Sequence, residues 1–277
     1  MHIVCCIKQV PDTTQVKIDP VTNTLIRAGV ESICNPYDLV AVEAAVRLKE
    51  KYGGKVTVIT MGPPQADSAL KDCLAIGADD AILLSDRAFA GADTLATSYT
   101  LSQAVARISA TEPVQLVICG KQAIDGDTAQ TGPGMATRLG YNQFTYVSEI
   151  ISVENDTIRV KREVEQGSEI IEGKLPALLT VELEMHAIRY ASLPEMVRAL
   201  RYTVKVWGAA ELGGQTDKFG LKGSPTSVKQ IFAPQPRKGG PVFDSTEKKD
   251  QAVEEFLNTF YQKDSEIIKE VSTKGKG

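Results

Sequence analysis

Four short apolar runs, Ile3–Ile7, Val56–Thr60, Ala81–Leu84 and Val114–Cys119, punctuate the first 120 residues, and between them the hydrophobic spacing turns helical. An uninterrupted apolar run suits a strand buried on both faces, whereas a half-exposed strand alternates. Strands separated by helices pair in parallel, since a parallel partner requires a crossover. The pattern therefore predicts an α/β fold, a parallel sheet flanked by helices. The first helix is predicted over about residues 37–52, where Leu39, Val42, Ala45, Val46 and Leu48 keep helical spacing and Gly53-Gly54 stops it. Others are predicted over 65–76 (ended by Gly77), from Asp93-Thr94 to about Ile108, and from near Thr128. A small hairpin, Val16–Ile18 with Thr24–Ile26 around Asp19–Asn23, interrupts the first crossover.

After residue 145 the pattern changes. Val147–Val153 and Thr157–Val164 read as added antiparallel strands joined through Glu154-Asn155-Asp156, followed by a strand at Ala177–Leu183, a helix near Pro194–Leu200 and a strand at Thr203–Trp207. From about residue 212 order weakens, and Gly213-Gly214, Pro234, Pro236, Gly239-Gly240 and Pro241 mark an extended C-terminal arm. It ends in a helix, about 250–269, with Val253, Phe256, Leu257, Phe260, Ile267 and Ile268 on one stripe. Two parts follow: an α/β domain over 1–211 and the arm and helix over 212–277. A lone helix of this length is marginal in water, so the stripe is expected to be buried, either on a partner or on the chain's own sheet.

Several function classes fall away. The net charge of −4 argues against a nucleic-acid binder. No run reaches the roughly 18 apolar residues of a membrane span, so membrane insertion is not expected. Residues 3–7 already read as a strand where a secretory signal would carry its apolar core, so secretion is not expected either. Five cysteines without a Cys-x-x-Cys pair, and two histidines, offer no metal site; reduced thiols fit a cytoplasmic location. His2 is expected at the surface and His186 in packing. There is no Gly-x-Gly-x-x-Gly, so the usual Rossmann dinucleotide fingerprint is missing, and neither a P-loop nor a nucleophile elbow is present.

Parallel sheets bind ligands beyond the carboxyl ends of their strands, which directs attention to the loops there. The clearest is Gly120-Lys121-Gln122-Ala123-Ile124-Asp125-Gly126-Asp127-Thr128-Ala129-Gln130-Thr131, leading from a buried strand into a helix with Pro133 in its first turns. Asp127 or Thr128 is the expected cap. The free N–H groups of such a helix start, with the helix dipole, make an anion site. The loop reads either as a phosphate or pyrophosphate cradle, to which Lys121 adds charge, or as a well-capped βα loop. Gly91–Thr97 opens a helix in the same way with Asp93 or Thr94 as cap, and Asn35-Pro36-Tyr37-Asp38 precedes another helix, Pro36 driving Asn35 out of the helical region.

Together the motifs go further. Val4–Asp12 (VCCIKQVPD), Asn35–Asp38 (NPYD), Glu43–Glu50 (EAAVRLKE), Met61–Pro64 (MGPP), Gly77–Asp79 (GAD) and Gly120–Gln130 closely resemble the β subunit of electron transfer flavoprotein, as do Arg162-Glu163, Leu175–Thr180 (LPALLT) and Arg189–Pro194 (RYASLP) downstream. The resemblance covers about residues 1–210. It implies a heterodimer with an α subunit, which the C-terminal arm embraces, with Phe256 and Phe260 in the contact. In the respiratory type the β subunit holds structural AMP while α carries the working FAD. In the bifurcating type a second FAD takes the AMP place, NADH is the hydride donor, and electrons part toward ferredoxin and, through the α-subunit FAD, an acyl-CoA dehydrogenase-type partner. Leu84–Thr94 and Asp125–Pro133 are similar to the bifurcating subgroup, and Gly126 stands where respiratory relatives usually carry an acidic residue. The resemblance further implies that Cys6, Asn35, Pro36, Tyr37, Asp38 and Met61 meet the adenosine half of the ligand and Thr94 and Thr97 the remainder. Arg189, Tyr190 and Leu193 belong to its partner-recognition loop, with Leu193 as the anchor. The other functions considered are a plain electron carrier with bound AMP and a non-redox nucleotide-binding regulatory module.

Overall fold

The computed structural model describes residues 1–12, 17–18, 25–26, 32–229, 242–243, 246 and 249–263. Its elements are β1 (His2–Cys6), β2 (Gln9–Pro11), β3 (Lys17–Ile18), β4 (Leu25–Ile26), β5 (Ser32–Cys34), α1 (Pro36–Tyr52), β6 (Lys55–Met61), α2 (Asp67–Ala75), β7 (Asp80–Leu84), α3 (Thr94–Ser109) and β8 (Leu116–Gly120). They continue with α4 (Thr131–Leu139), β9 (Asn142–Glu154), β10 (Thr157–Val164), β11 (Gly167–Lys174), β12 (Ala177–Val181), α5 (Leu193–Arg201), β13 (Lys205–Trp207), α6 (Ala209–Leu212) and α7 (Lys249–Lys263). Short one-turn helices fill several connections. The chain divides into two compact units, Met1–Ile231 and Phe232–Gly277.

The first unit is built on a nine-stranded sheet in the order β11-β10-β9-β12-β8-β1-β6-β7-β13. From β9 to β13 every neighbouring pair is parallel; β10 and β11 extend the sheet antiparallel. The chain steps outward from β1 to β6 and β7, then returns through α3 to place β8 on the other side of β1. The strand order therefore reverses at β1, and the crevice of a doubly wound sheet opens at the carboxyl ends of β1 and β8.

Alternation along β1 distributes the core over both faces. Ile3, Cys5 and Ile7 pack with Val40, Val42, Leu70 and Leu74 of α1 and α2, while Val4 and Cys6 pack with Tyr99, Leu101 and Met135 of α3 and α4. Full burial of a side chain such as Ile3, Ile59 or Ile118 contributes roughly 1.5–3 kcal/mol, which is why continuous apolar runs occupy the central strands. Helix α1 stops where expected: Gly53 takes φ +73°, left-handed backbone that glycine adopts without steric cost.

The structure corrects several sequence expectations. Strand β11 is not predicted by any alternation, and it forms the outer edge. The Ala177–Leu183 strand ends at Val181. His2 is buried, not exposed, with Nε2 2.9 Å from Thr57 Oγ1 on the adjacent strand. Residues 212–224, read as the start of an arm, pack on the first unit. Phe219 is only 2% exposed, its ring 5.2 Å from that of Phe89 and 5.3 Å from that of Tyr99. β3 and β4 pair antiparallel at the expected hairpin, but its turn, Asp19–Asn23, lies outside the described residues. So do Pro234, Pro236, Gly239, Gly240, Pro241, Ile267 and Ile268 of the expected arm and terminal helix. All five cysteines are buried free thiols. Among the described residues no helix is long and apolar enough to cross a membrane.

In the second unit, α7 carries Val253, Phe256, Leu257 and Phe260, each 42–51% exposed. The Phe256 ring stacks on Phe260 at 6.1 Å and meets Phe243 edge-on at 5.6 Å.

Candidate functional site

The carboxyl ends of β1 and β8 are joined by one side chain. Asp38, in the first turn of α1, accepts the Lys8 N–H through Oδ2 at 2.8 Å and the Gly120 N–H through Oδ1 at 3.1 Å. A Cβ on Gly120 would run into Asp38 Oδ1 and the Tyr37 backbone, so only glycine lets β8 end this close to α1. Burial pushes the Asp38 carboxyl up to about 7, against the Lys8 and Gly120 N–H groups and the Asn35 side chain, which favour its charged form.

Asn35 clamps the loop that follows β8. It is fully buried, its Nδ2 donates to the Gln122 carbonyl at 2.9 Å and its Oδ1 accepts the Ile124 N–H at 3.2 Å. Both partners belong to a segment 87 and 89 residues further along the chain. Lys8, which the sequence pattern did not single out, pairs with Asp125 at 2.6 Å across the mouth. Its only signal was a cation immediately after the apolar run of β1. Cys6 lies beneath, buried, with Sγ 3.8 Å from Met135 Sδ of α4.

Beyond Ile124 the loop is open. Asp125, Gly126, Asp127, Thr128 and Gln130 are exposed, and a Cβ on Gly126 would meet nothing within 4 Å. Asp127 and Ala129 have φ of +51° and +52°, a conformation that costs a non-glycine residue on the order of 1–2 kcal/mol and that clusters at ligand-binding sites. These two residues lengthen the loop and move the helix start. The cap of α4 is Gln130, not Asp127 or Thr128, and its side chain caps nothing. Asp127 instead accepts the Gln122 Nε2–H at 3.0 Å. The first turn of α4 thus has no side-chain cap, and Pro133 within it has no N–H to offer. Lys121 turns away from this start, 3.1 Å from Glu182 and over the Tyr146 ring.

Helix α3 begins beside it. Thr94 Oγ1 donates to Gln130 Oε1 at 2.8 Å, tying the two starts together. Here the expected cap is present: Asp93 accepts the Leu95 and Ala96 N–H groups at 2.9 and 3.1 Å. Thr97 is half-buried one turn on, and Met61 is half-buried at the end of β6, the strand beside β1. The structure therefore gathers Cys6, Asn35–Asp38, Met61, Thr94, Thr97 and Gly120–Thr131 along one rim of the sheet.

The remaining expected residues lie elsewhere. Tyr190 and Leu193, at 100% and 73% exposure, project from the segment entering α5, while Arg189 pairs with Glu43 and Glu50 of α1. Phe256 and Phe260 belong to the second unit.

This rim lies at the point where the strand order of a doubly wound sheet reverses, where such folds bind ligands, and residues 22–211 match the family model described as the electron transfer flavoprotein domain. The chain belongs to the electron transfer flavoprotein family. It is similar to the protein FixA of Azotobacter vinelandii, with 54% identity over 240 residues, covering 86% of this chain and 85% of the relative. It is also similar to electron transfer flavoprotein subunit beta of Clostridium acetobutylicum (49% over 248 residues, covering 90% and 94%) and of Thermoanaerobacterium thermosaccharolyticum (50% over 244 residues, covering 88% and 92%). The matched region of the electron transfer flavoprotein model contains nearly all of the rim, from Asn35 to Thr131, and the Arg189–Leu193 segment.

Proposed function

We propose that this chain is the β subunit of a heterodimeric electron transfer flavoprotein that holds FAD on the rim formed by β1, β8 and the starts of α3 and α4. The observation that carries this reading is the start of α4: a helix N-terminus without a side-chain cap, reached through two left-handed residues, beside a glycine that faces open space. Backbone N–H groups at such a point suit a pyrophosphate, and the absence of a side chain at Gly126 removes a charge that would repel it. Asn35 and Asp38 hold the loop in place, Cys6, Pro36, Tyr37 and Met61 wall the adenosine half, and Thr94 and Thr97 adjoin the remainder. FAD bound there supplies hydride acceptance from NADH and release of single electrons. Ferredoxin and, through the α-subunit FAD, an acyl-CoA dehydrogenase-type enzyme are the acceptors in this reading.

Two surfaces serve the partners. Leu193 and Tyr190 dock the dehydrogenase, and the half-exposed face of α7, with Phe256 and Phe260, packs on the α subunit. Five free thiols accord with a cytoplasmic location. The test is the nucleotide content of the purified α/β pair. Two FAD per heterodimer are expected. One FAD with one AMP would make the chain a plain electron carrier, and no nucleotide in the β subunit would overturn the reading.

A further inference from the structure

The segment leading into α5 is held in an unusual way. Residues 186–192 form neither helix nor strand. Below them, toward α1 and the end of α2, lies an open cleft of about 490 Å³ lined by Val46, Ile76, Arg189, Tyr190, Ser192 and Arg198 among others. Ala191 packs against the core, and two arginines hold the segment at either side of the cleft. Arg198, on α5, donates to the Leu74 and Ala78 carbonyls at 2.7 and 2.8 Å. At the other end, Arg189 is committed to α1. Its backbone N–H and Nε donate to Glu43 Oε2 at 3.2 and 2.8 Å, and Nη1 and Nη2 donate to Glu50 at 2.5 and 3.1 Å.

Glu43 is the unexpected member. Its side chain is 0% exposed, in the middle of α1, where a carboxylate is rare unless fully paired. It is paired twice, with Arg189 and, at 2.6 Å, with Arg47 one turn along. Glu43 and Glu50 stand two turns apart on one helix face, spaced for a single guanidinium to span both. Arg189 thus has its planar fork occupied within the chain, immediately before the exposed Tyr190 and Leu193.

We propose that Glu43 and Glu50, acting through Arg189, are positioning residues for electron transfer to the external partner: they hold the 187–192 segment in one conformation so that Tyr190 and Leu193 meet the partner already ordered. This inference rests on the docking role proposed for Leu193. Pre-ordering lowers the entropy lost on association, so the effect falls on affinity and not on the rate once docked.

The test uses the intact α/β heterodimer with butyryl-CoA dehydrogenase, reduced by butyryl-CoA, as the partner. Glu43→Gln is expected to raise the apparent KM about tenfold, as when a few ordered side chains lose their pre-organisation, with kcat at saturating partner and flavin content unchanged. Glu50→Gln, on the exposed rim, is expected to do the same to a smaller degree, and both are expected to speed amide hydrogen exchange at residues 187–192. Leu193→Ala is measured alongside. If it raises KM while both glutamate variants leave KM unchanged, the positioning role is wrong and the docking role stands. If Leu193→Ala leaves KM unchanged, the docking role fails and this inference with it. Tighter docking by Glu50→Gln would show that Arg189 serves the partner directly, which overturns the inference. Should Glu43→Gln fail to fold, Glu50→Gln decides alone.

Discussion

Helices α3 and α4 start side by side on the same rim, linked by Thr94 and Gln130, and they meet the same requirement in opposite ways. Every helix begins with N–H groups that its own backbone cannot satisfy. At α3 the Asp93 carboxylate accepts two of them and takes the Thr226 hydroxyl at 2.9 Å as well. At α4 no side chain does so, and the approach runs through left-handed Asp127 and Ala129. One start is complete in itself. The other keeps a costly backbone path and has no side chain on its donors, the arrangement that suits an external anion.

Several substitutions would break or sharpen this contrast. The largest effect is expected from Asp38, which frames the α4 side. Its folded value of about 7 lies above the unfolded value of about 3.9, so between those values the folded chain holds a proton that the unfolded chain has released. The stability that this group contributes is therefore full below about pH 4, declines as pH rises and is gone above about pH 7, a change on the order of 4 kcal/mol. Measured by denaturant unfolding, the stability of the wild type relative to Asp38→Asn is expected to fall across that window and level off above it; a constant difference would contradict the assignment.

Next in size is Gly120→Ala, whose Cβ meets Asp38 and Tyr37. A loss of about 1–3 kcal/mol in unfolding free energy is expected, as for other overpacked sites. Gly126→Ala, facing open space, is expected to stay within about 0.5 kcal/mol. Similar costs at both glycines would remove the distinction between frame and opening. Asp93→Ala should destabilise by about 1 kcal/mol, the usual worth of a cap, without changing nucleotide affinity. Lys8→Ala should cost at most about 1 kcal/mol, because its partner Asp125 is partly solvated; a larger loss in thermal unfolding would give the pair a structural role not evident from its exposure.

Much of this was legible in the sequence. The central strands and four flanking helices follow from runs such as Ile3–Ile7 and from stops such as Gly53 and Gly77, where pattern and burial agree. The cap of α3 was legible to within one residue, Asp93 or Thr94, because a short polar side chain just before a helical pattern commonly caps it, and the structure selects Asp93. The start of α4 was not, because nothing in the letters of Ala129 announces a left-handed residue, and each such residue shifts the helix start onward. Strand β11 escaped because it is an exposed edge whose side chains carry no alternation. Phe219 escaped for another reason: one aromatic anchors residues 212–224, surrounded by glycine and polar residues without period. The Arg189 clamp joins positions 146 and 139 residues apart, which only the folded chain brings together.

The claim that the ligand's phosphates lie at the start of α4 is tested most directly by the FAD affinity of Gly126→Asp in the reconstituted heterodimer, followed by flavin fluorescence. The new carboxylate would stand in the open space where the pyrophosphate is proposed to sit. A loss on the order of 1–3 kcal/mol, roughly 5- to 150-fold in Kd, is expected, with Asp93→Ala unchanged in the same assay. Equal affinity of wild type and Gly126→Asp would contradict the placement.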